Sequence, residues 1–191
     1  MIVENEFLMI ITAMLVIISS GIIINLTKNK QNKVVWQEVT KTLLYFKIAI
    51  PVALLSGILI YRTGVASYAQ SNYLVLLGIT LVLVGLYFRW EAIRKLSGMF
   101  TVKISIVENH ELMSSGVFKY VRHPSYLGMV FYFSGLGFLM HNYLCFLVLV
   151  GLPLSAILIR IFHEEKALGT HFKEAYAEYQ KRSWKLIPYL Y

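Results

Sequence analysis

The stretch Tyr126–Phe162, YLGMVFYFSGLGFLMHNYLCFLVLVGLPLSAILIRIF, decides the fold. It holds two apolar runs that are separated only by His141 and Asn142. An apolar run of about 20 residues is long enough to cross a bilayer as a helix. Two helices with so short a connection must lie antiparallel beside each other. The sequence therefore predicts a transmembrane helical hairpin whose two outer ends meet at one membrane surface.

Three further apolar runs precede the hairpin, at about Phe7–Leu26, Leu43–Tyr61 and Tyr73–Phe88. The shorter runs can be extended by their basic flanks, because Lys and Arg at helix ends reach the interface. The chain is 58% hydrophobic and only 15% charged, whereas a soluble domain has about 25% charged residues. This composition argues against a soluble or disordered chain. It predicts an all-α integral membrane protein with five transmembrane helices.

The loops between these runs alternate between rich and poor in Lys and Arg. The base-rich segments are Lys28–Lys41, Arg89–Arg122 and Lys166–Lys185, while the intervening loops carry Arg62 alone or no base. By the positive-inside rule, the N-terminus lies outside and the C-terminus lies in the cytosol. The net charge of +8 therefore indicates a membrane surface as the partner, and we expect no nucleic acid.

The hairpin brings two polar clusters to the cytosolic surface, HELMSSGVFKYVRHPSY at His110–Tyr126 and RIFHEE at Arg160–Glu165. Pro124 suits the first turn of a helix, whose unpaired N–H groups favour an anion, although a plain juxtamembrane anchor explains it as well. Arg160 and Glu164 share a helix face, so they either pair with each other or face a ligand.

The tail from about His163 to Lys181 has helical spacing, with an aromatic face that includes Tyr176 and Tyr179. This pattern predicts a cytosolic amphipathic helix that closes over the hairpin. We expect residues 1–90 to be a membrane anchor of three helices. Residues 91–191 are then the catalytic region, with the motif loop, the hairpin and the tail helix.

Together the two clusters resemble the isoprenylcysteine carboxyl methyltransferase family of integral-membrane methyltransferases. The likeness covers about residues 103–190, and the combination of the two clusters is specific. One departure is Phe118, because the family often has a tyrosine at this position. The matching elements are His110-Glu-Leu112, Gly116-Val-Phe118, Arg122-His123-Pro124-Ser125-Tyr126, Arg160 with Glu164, and a Tyr-rich tail that ends near Pro188.

This resemblance implies that S-adenosyl-L-methionine is the methyl donor and binds between the hairpin and the tail helix. Arg160 would hold the carboxylate of a lipid-like or prenylated acceptor such as isoprenylcysteine. Arg122 and Glu165 are further candidates for the site. The implied cofactor contacts are His110, Leu112, Phe118, Tyr120, His123, Pro124, Ser125, Tyr126 and Glu164.

The chemistry of methyl transfer suits these residue types. A carboxylate is already ionised at neutral pH, since its unperturbed pKa is about 4, so we expect neither a general base nor a metal. The site has to supply orientation for an in-line displacement. The planar guanidinium of Arg160 can grip a carboxylate at two points.

Three alternatives stay open at this stage. A phospholipid-amine or small-thiol methyltransferase shares this architecture, and an amine acceptor would need Glu165 or His163 as a base. A sterol-reductase-like membrane enzyme would use NADPH, which calls for more basic groups than the start of the hairpin offers. A non-enzymatic membrane scaffold would bind no adenosyl ligand.

Overall fold

A computed structural model describes residues 34–37, 41–96, 105–107 and 112–189. The predicted run Phe7–Leu26 lies outside the described residues. Four α-helices follow one another in the described part, and a 3-10 turn precedes the third. They are α1 (Thr42–Thr63), α2 (Asn72–Leu96), the 3-10 turn (Gly116–Lys119), α3 (Pro124–Leu139) and α4 (Tyr143–Lys181).

Two short strands accompany the helices. β1 (Val34–Gln37) pairs antiparallel with β2 (Ser105–Val107) in a two-stranded sheet. The physical reason is local, because the segments VVWQ and SIV are rich in β-branched residues that favour extended backbone. Otherwise the architecture is helical, as predicted.

Three of the helices, α1, α2 and α4, are long and apolar enough to cross a membrane. Their outward faces remain apolar and exposed, as expected for surfaces that contact lipid. α3 is shorter, with 16 residues, and most of them are buried between the other helices. The exposed apolar side chains of α1 and α2 include Leu44, Ile48, Leu55, Leu59, Leu76 and Leu83.

The hairpin of α3 and α4 forms as predicted, with Met140–Asn142 between the helices. Asn142 caps α4, because its side-chain oxygen accepts a hydrogen bond from the N–H of Cys145 at 3.0 Å. Its amide nitrogen donates to the carbonyl oxygen of Val65 at 2.7 Å. The N–H of Tyr68 donates to the carbonyl oxygen of His141 at 2.9 Å. The loop between α1 and α2 is therefore fastened to the hairpin turn.

Glycines bring α2 and α3 into close backbone contact. Gly78 faces Gly135 and Gly85 faces Gly128, so the same seven-residue spacing recurs on both helices. A Cβ added at Gly85 would lie 2.5 Å from the carbonyl oxygen of Gly128. Small residues are favoured at such contacts. In lipid there is no hydrophobic driving force for helix association, so the helices associate through close van der Waals packing.

Gly85→Ala should therefore destabilise the protein, because the added methyl group forces α2 away from α3. Overpacking of this kind costs about 1–3 kcal/mol. The measurement is thermal unfolding of the purified protein in detergent. Gly151→Ala is the matched control, since a Cβ at Gly151 in α4 meets nothing within 4 Å. Equal losses in the two variants would contradict the close packing of α2 on α3.

α4 continues well beyond the end of its apolar run. It breaks only at Lys173, where φ is 48° and ψ is −118°. The predicted tail helix is thus the second half of α4, and its Tyr176 and Tyr179 are buried. Beyond it the chain turns back, and Trp184 forms a parallel bridge with Val121.

Candidate functional site

The hairpin places the two predicted clusters side by side. α3 begins at Pro124 with His123 as its N-cap residue, and Arg160–Glu165 occupy α4 just beyond its apolar run. Residues that are 34 or more positions apart in sequence are therefore in direct contact. Arg160 and His123 are buried, with 5% and 6% of their surface exposed, so this is not an ordinary solvated helix end.

Arg160, Tyr126 and Glu164 form a three-membered network. The hydroxyl of Tyr126 donates to Oε1 of Glu164 at 2.5 Å and accepts from Nε of Arg160 at 2.5 Å. Nε of Arg160 also lies 3.1 Å from the same Glu164 oxygen. Arg160 therefore pairs with Glu164, as their spacing predicts. The pair lies inside the protein and not on a solvated helix surface. Loss of one member of a buried pair is costly, since the other charge is left uncompensated.

His123 lies between two carboxylates. Its Nδ1 is 3.6 Å from Oε2 of Glu164, and its Nε2 is 3.3 Å from Oε1 of Glu165. Burial disfavours a charge on the ring, but its hydrogen bonds to the carboxylates of Glu164 and Glu165 outweigh this effect and raise the pKa of His123. The ring also stacks on that of Tyr126, with the centroids 5.9 Å apart. The ring is therefore held between the two carboxylates and the ring of Tyr126.

Arg122 and Glu165 form a second ion pair beside the first network. Nε of Arg122 donates to Oε1 of Glu165 at 2.7 Å, and both side chains are largely buried. Burial disfavours the Glu165 charge, but hydrogen bonds from His123 and Arg122 outweigh this and lower the pKa of Glu165 to about 2. Arg122 also donates to the carbonyl oxygens of Ser183 and Gln180. This pair therefore ties the site to the end of the chain.

The remaining predicted site residues divide into two groups. Phe118 and Pro124 are buried, and Leu112 is half-buried. Tyr120 is 63% exposed, with the ammonium of Lys119 5.6 Å from its ring. The structure thus does not bring Tyr120 into the buried cluster. His110 lies outside the described residues.

Two residues from the predicted anchor reach the site, and the sequence interpretation missed both. The ring of Phe46 in α1 lies 5.7 Å from the guanidinium carbon of Arg160. Nη1 of Arg89 in α2 donates to the hydroxyl of Ser125 at 3.2 Å. Arg89 could have been recognised as a candidate, because it is the first basic residue after an apolar run. Nothing in the sequence distinguishes Phe46, because one aromatic residue in an apolar helix resembles any other.

This arrangement has defined chemical abilities. Glu164 offers a carboxylate to an ammonium or hydroxyl group, and Arg160 offers a guanidinium to a carboxylate. Within residues 41–96 and 112–189, no three His, Cys, Asp or Glu side chains are grouped to hold a metal ion. Fold and site together define a helical integral membrane protein with a buried ionisable site where the hairpin ends meet.

The sequence model of the isoprenylcysteine carboxyl methyltransferase (ICMT) family matches residues 76–170, which include both clusters. Residues 76–170 therefore carry the sequence pattern of this family.

Individual relatives agree with this assignment. The protein-S-isoprenylcysteine O-methyltransferase of Saccharomyces cerevisiae is 31% identical over 145 residues, which are 74% of this chain and 61% of that protein. The Xenopus laevis protein of the same name is 33% identical over 126 residues, which are 63% of this chain and 43% of that protein. The chain therefore spans less than two thirds of the length of these relatives.

The fold is also similar to a solved structure. The structure of the eukaryotic intramembrane Ras methyltransferase ICMT superposes with a TM-score of 0.58 and 23% sequence identity. The likeness covers 76% of this chain and 52% of the other chain. This agreement supports a shared membrane fold.

Proposed function

We propose that the protein is a carboxyl O-methyltransferase that uses S-adenosyl-L-methionine at a membrane interface. Its acceptor is the carboxylate of a lipid-like or prenylated molecule such as isoprenylcysteine. The observation that carries this proposal is the buried network of Arg160, Tyr126 and Glu164, because a buried guanidinium near the end of the apolar part of α4 is suited to a carboxylate that arrives from the bilayer side.

The residues present fit the proposed cofactor. S-adenosyl-L-methionine supplies an electrophilic methyl group and carries an ammonium, ribose hydroxyls and an adenine ring. Glu164 can accept hydrogen bonds from an ammonium or hydroxyl, and His123 holds that carboxylate in place. Phe118, Pro124 and Leu112 provide apolar surface for a purine.

Arg160 is placed to orient the acceptor. It lies near the end of the apolar run of α4, where Ile159 and Phe162 are exposed. An acyl or prenyl chain can therefore remain in the bilayer while its carboxylate reaches the guanidinium. The carboxylate needs no deprotonation at neutral pH, so the task of Arg160 is alignment.

The network also favours a carboxylate over an amine acceptor. An amine would have to lose a proton to a base such as Glu165. Glu165 is occupied by Arg122 and His123 at 2.7 and 3.3 Å, and its low pKa makes it a weak base.

The test is methyl transfer from radiolabelled S-adenosyl-L-methionine to membrane extracts and to a prenylcysteine. A carboxyl methyl ester is base-labile, so hydrolysis in base releases its label as volatile methanol, and we expect this result. A base-stable label would identify an amine or thiol acceptor instead. Competition by NADPH against S-adenosylhomocysteine would favour the reductase alternative, and the absence of any adenosyl ligand binding would favour a scaffold.

We further propose that Phe7–Leu26 supplies a fifth membrane helix, with residues 1–90 as the anchor and residues 91–191 as the catalytic region. Phe46 and Arg89 are then contributions of the anchor to the site. The alternation of base-rich and base-poor loops supports an external N-terminus, with the site and the C-terminus in the cytosol. The tail half of α4 would close the cofactor pocket, as the burial of Tyr176 and Tyr179 suggests.

This orientation predicts the labelling of single cysteines at Val65 and Ser115, which are both exposed. In a background without the buried Cys145, a membrane-impermeant thiol reagent should label position 65 in intact cells. It should label position 115 only after permeabilisation. The reverse pattern would overturn the proposed orientation.

A further inference from the structure

The end of the chain is fastened to the loop that carries the site. We name residues 179–185 the terminal segment and residues 116–123 the motif loop. The hydroxyl of Tyr179 donates to the carbonyl oxygen of Phe118 at 2.5 Å. The N–H of Trp184 donates to the carbonyl oxygen of Tyr120 at 2.9 Å. These bonds hold the terminal segment against the motif loop.

Glu165 contacts both of these parts at once. One carboxylate oxygen accepts from Nε of Arg122 at 2.7 Å and lies 3.3 Å from Nε2 of His123. The other lies 3.4 Å from Nε2 of Gln180 and 3.7 Å from Nζ of Lys185. Arg122 reinforces the connection, because its backbone N–H donates to the carbonyl oxygen of Trp184 at 2.8 Å.

We propose that Glu165 is a positioning residue that couples docking of the terminal segment to cofactor binding, and that it acts through His123. The inference rests on the proposed function, since His123 supports the cofactor contact of Glu164. Without the Glu165 carboxylate, His123 keeps one of its two acidic partners and Arg122 loses its own. The motif loop and the terminal segment are then both less firmly held.

Such coupling is reciprocal by thermodynamic necessity. If docking of the terminal segment improves cofactor binding, a bound cofactor must stabilise the docked segment to the same extent. The terminal segment contains the trypsin sites Lys181, Arg182 and Lys185. Proteolysis of a folded segment requires local opening, so its rate reports the opening equilibrium. Cofactor binding should therefore slow the cleavage.

The experiment uses the full chain in nanodiscs, with S-adenosylhomocysteine as the probe. In the native protein, saturating probe should slow trypsin cleavage in the terminal segment. Glu165→Gln should weaken probe binding by about tenfold or more, as expected for the loss of charge-assisted hydrogen bonds, and should reduce the protection. Glu174→Gln is the matched control, because Glu174 is an exposed residue of the same helix. It should leave both readings unchanged.

A double-mutant cycle tests the route through His123. Glu165→Gln should add little to the loss of probe affinity already caused by His123→Ala, because coupled residues are not additive. Independent, additive losses would overturn the proposed route.

Gln180→Glu tests the coupling without disturbing the buried core. Gln180 is exposed, and a carboxylate there would repel Glu165 and loosen the terminal segment. We expect probe affinity to fall about two- to fivefold, together with faster cleavage. If Glu165→Gln and Gln180→Glu both bind the probe like Glu174→Gln, the inference is wrong. A native protein that binds no probe would instead refute the proposed function.

Discussion

Arg160→Lys should lower methyl transfer by at least about tenfold while S-adenosylhomocysteine binding stays close to that of the native protein. Nε of Arg160 is engaged by Tyr126 and Glu164, which holds the plane of the guanidinium in a fixed orientation. A lysine retains the positive charge beside Glu164, but its single ammonium cannot reproduce the two-point grip. The measurement is kcat/KM with a prenylcysteine acceptor, alongside the equilibrium affinity for the probe.

The opposite result would be equally informative. If Arg160 served only as a partner for Glu164, lysine would be tolerated, because its ammonium keeps a positive charge beside that carboxylate. Arg182→Lys is a suitable control, since Arg182 is an exposed arginine further along the chain. Native turnover in Arg160→Lys would remove Arg160 from the acceptor site and weaken the case for a carboxylate substrate.

Glu164→Gln and His123→Ala should each weaken S-adenosylhomocysteine binding by roughly 1–3 kcal/mol, which is the cost of losing a charge-assisted hydrogen bond in a buried site. Glutamine is preferred to alanine at Glu164, because its amide keeps an oxygen that can accept from Tyr126 and Arg160, whereas alanine would leave the buried Arg160 without any acceptor there. That loss costs about 3–5 kcal/mol of stability. Isothermal titration at one temperature, with the melting temperature of each variant recorded in parallel, separates affinity from stability.

His171→Ala is the control for this pair, because His171 is exposed on the tail half of α4. His141 would be a poor choice, although the sequence assigns it no role. It is 7% exposed, has a φ of 49°, and its Nδ1 lies 2.9 Å from the carbonyl oxygen of Leu139. Comparable losses of affinity in the His171 and His123 variants would indicate a general effect of substitution rather than a binding site.

The meeting of the two clusters could be predicted from the sequence, because the two-residue connection between apolar runs leaves one geometry for the hairpin. The ion pair of Arg160 with Glu164 also follows from their spacing. The position of the Tyr126 hydroxyl between these two side chains could not be predicted from the sequence. It depends on how far α3 is shifted along α4, which the packing of side chains decides.

The parts that the sequence did not reveal share a physical cause. The terminal segment is held largely through backbone groups of Phe118, Tyr120, Arg122 and Trp184, and backbone groups are the same in every residue. The break at Lys173 could not be predicted, because neither a proline nor a glycine occupies that position. Phe46 and Arg89 reach the site through contacts between distant helices, which no local pattern encodes.

The unbroken course of α4 from Tyr143 past Arg160 has a consequence for the choice of membrane. The 17 residues between these positions rise about 26 Å at 1.5 Å per residue, which is close to the hydrocarbon thickness of about 30 Å in an average bilayer. The length of this helical segment therefore determines how deep Arg160 lies in the membrane. A thicker membrane would draw the guanidinium below the headgroups or force a tilt, at a cost of fractions of a kcal/mol per ångström of mismatch. Methylation should thus depend on the acyl-chain length of the host lipids, with an optimum in membranes of moderate thickness.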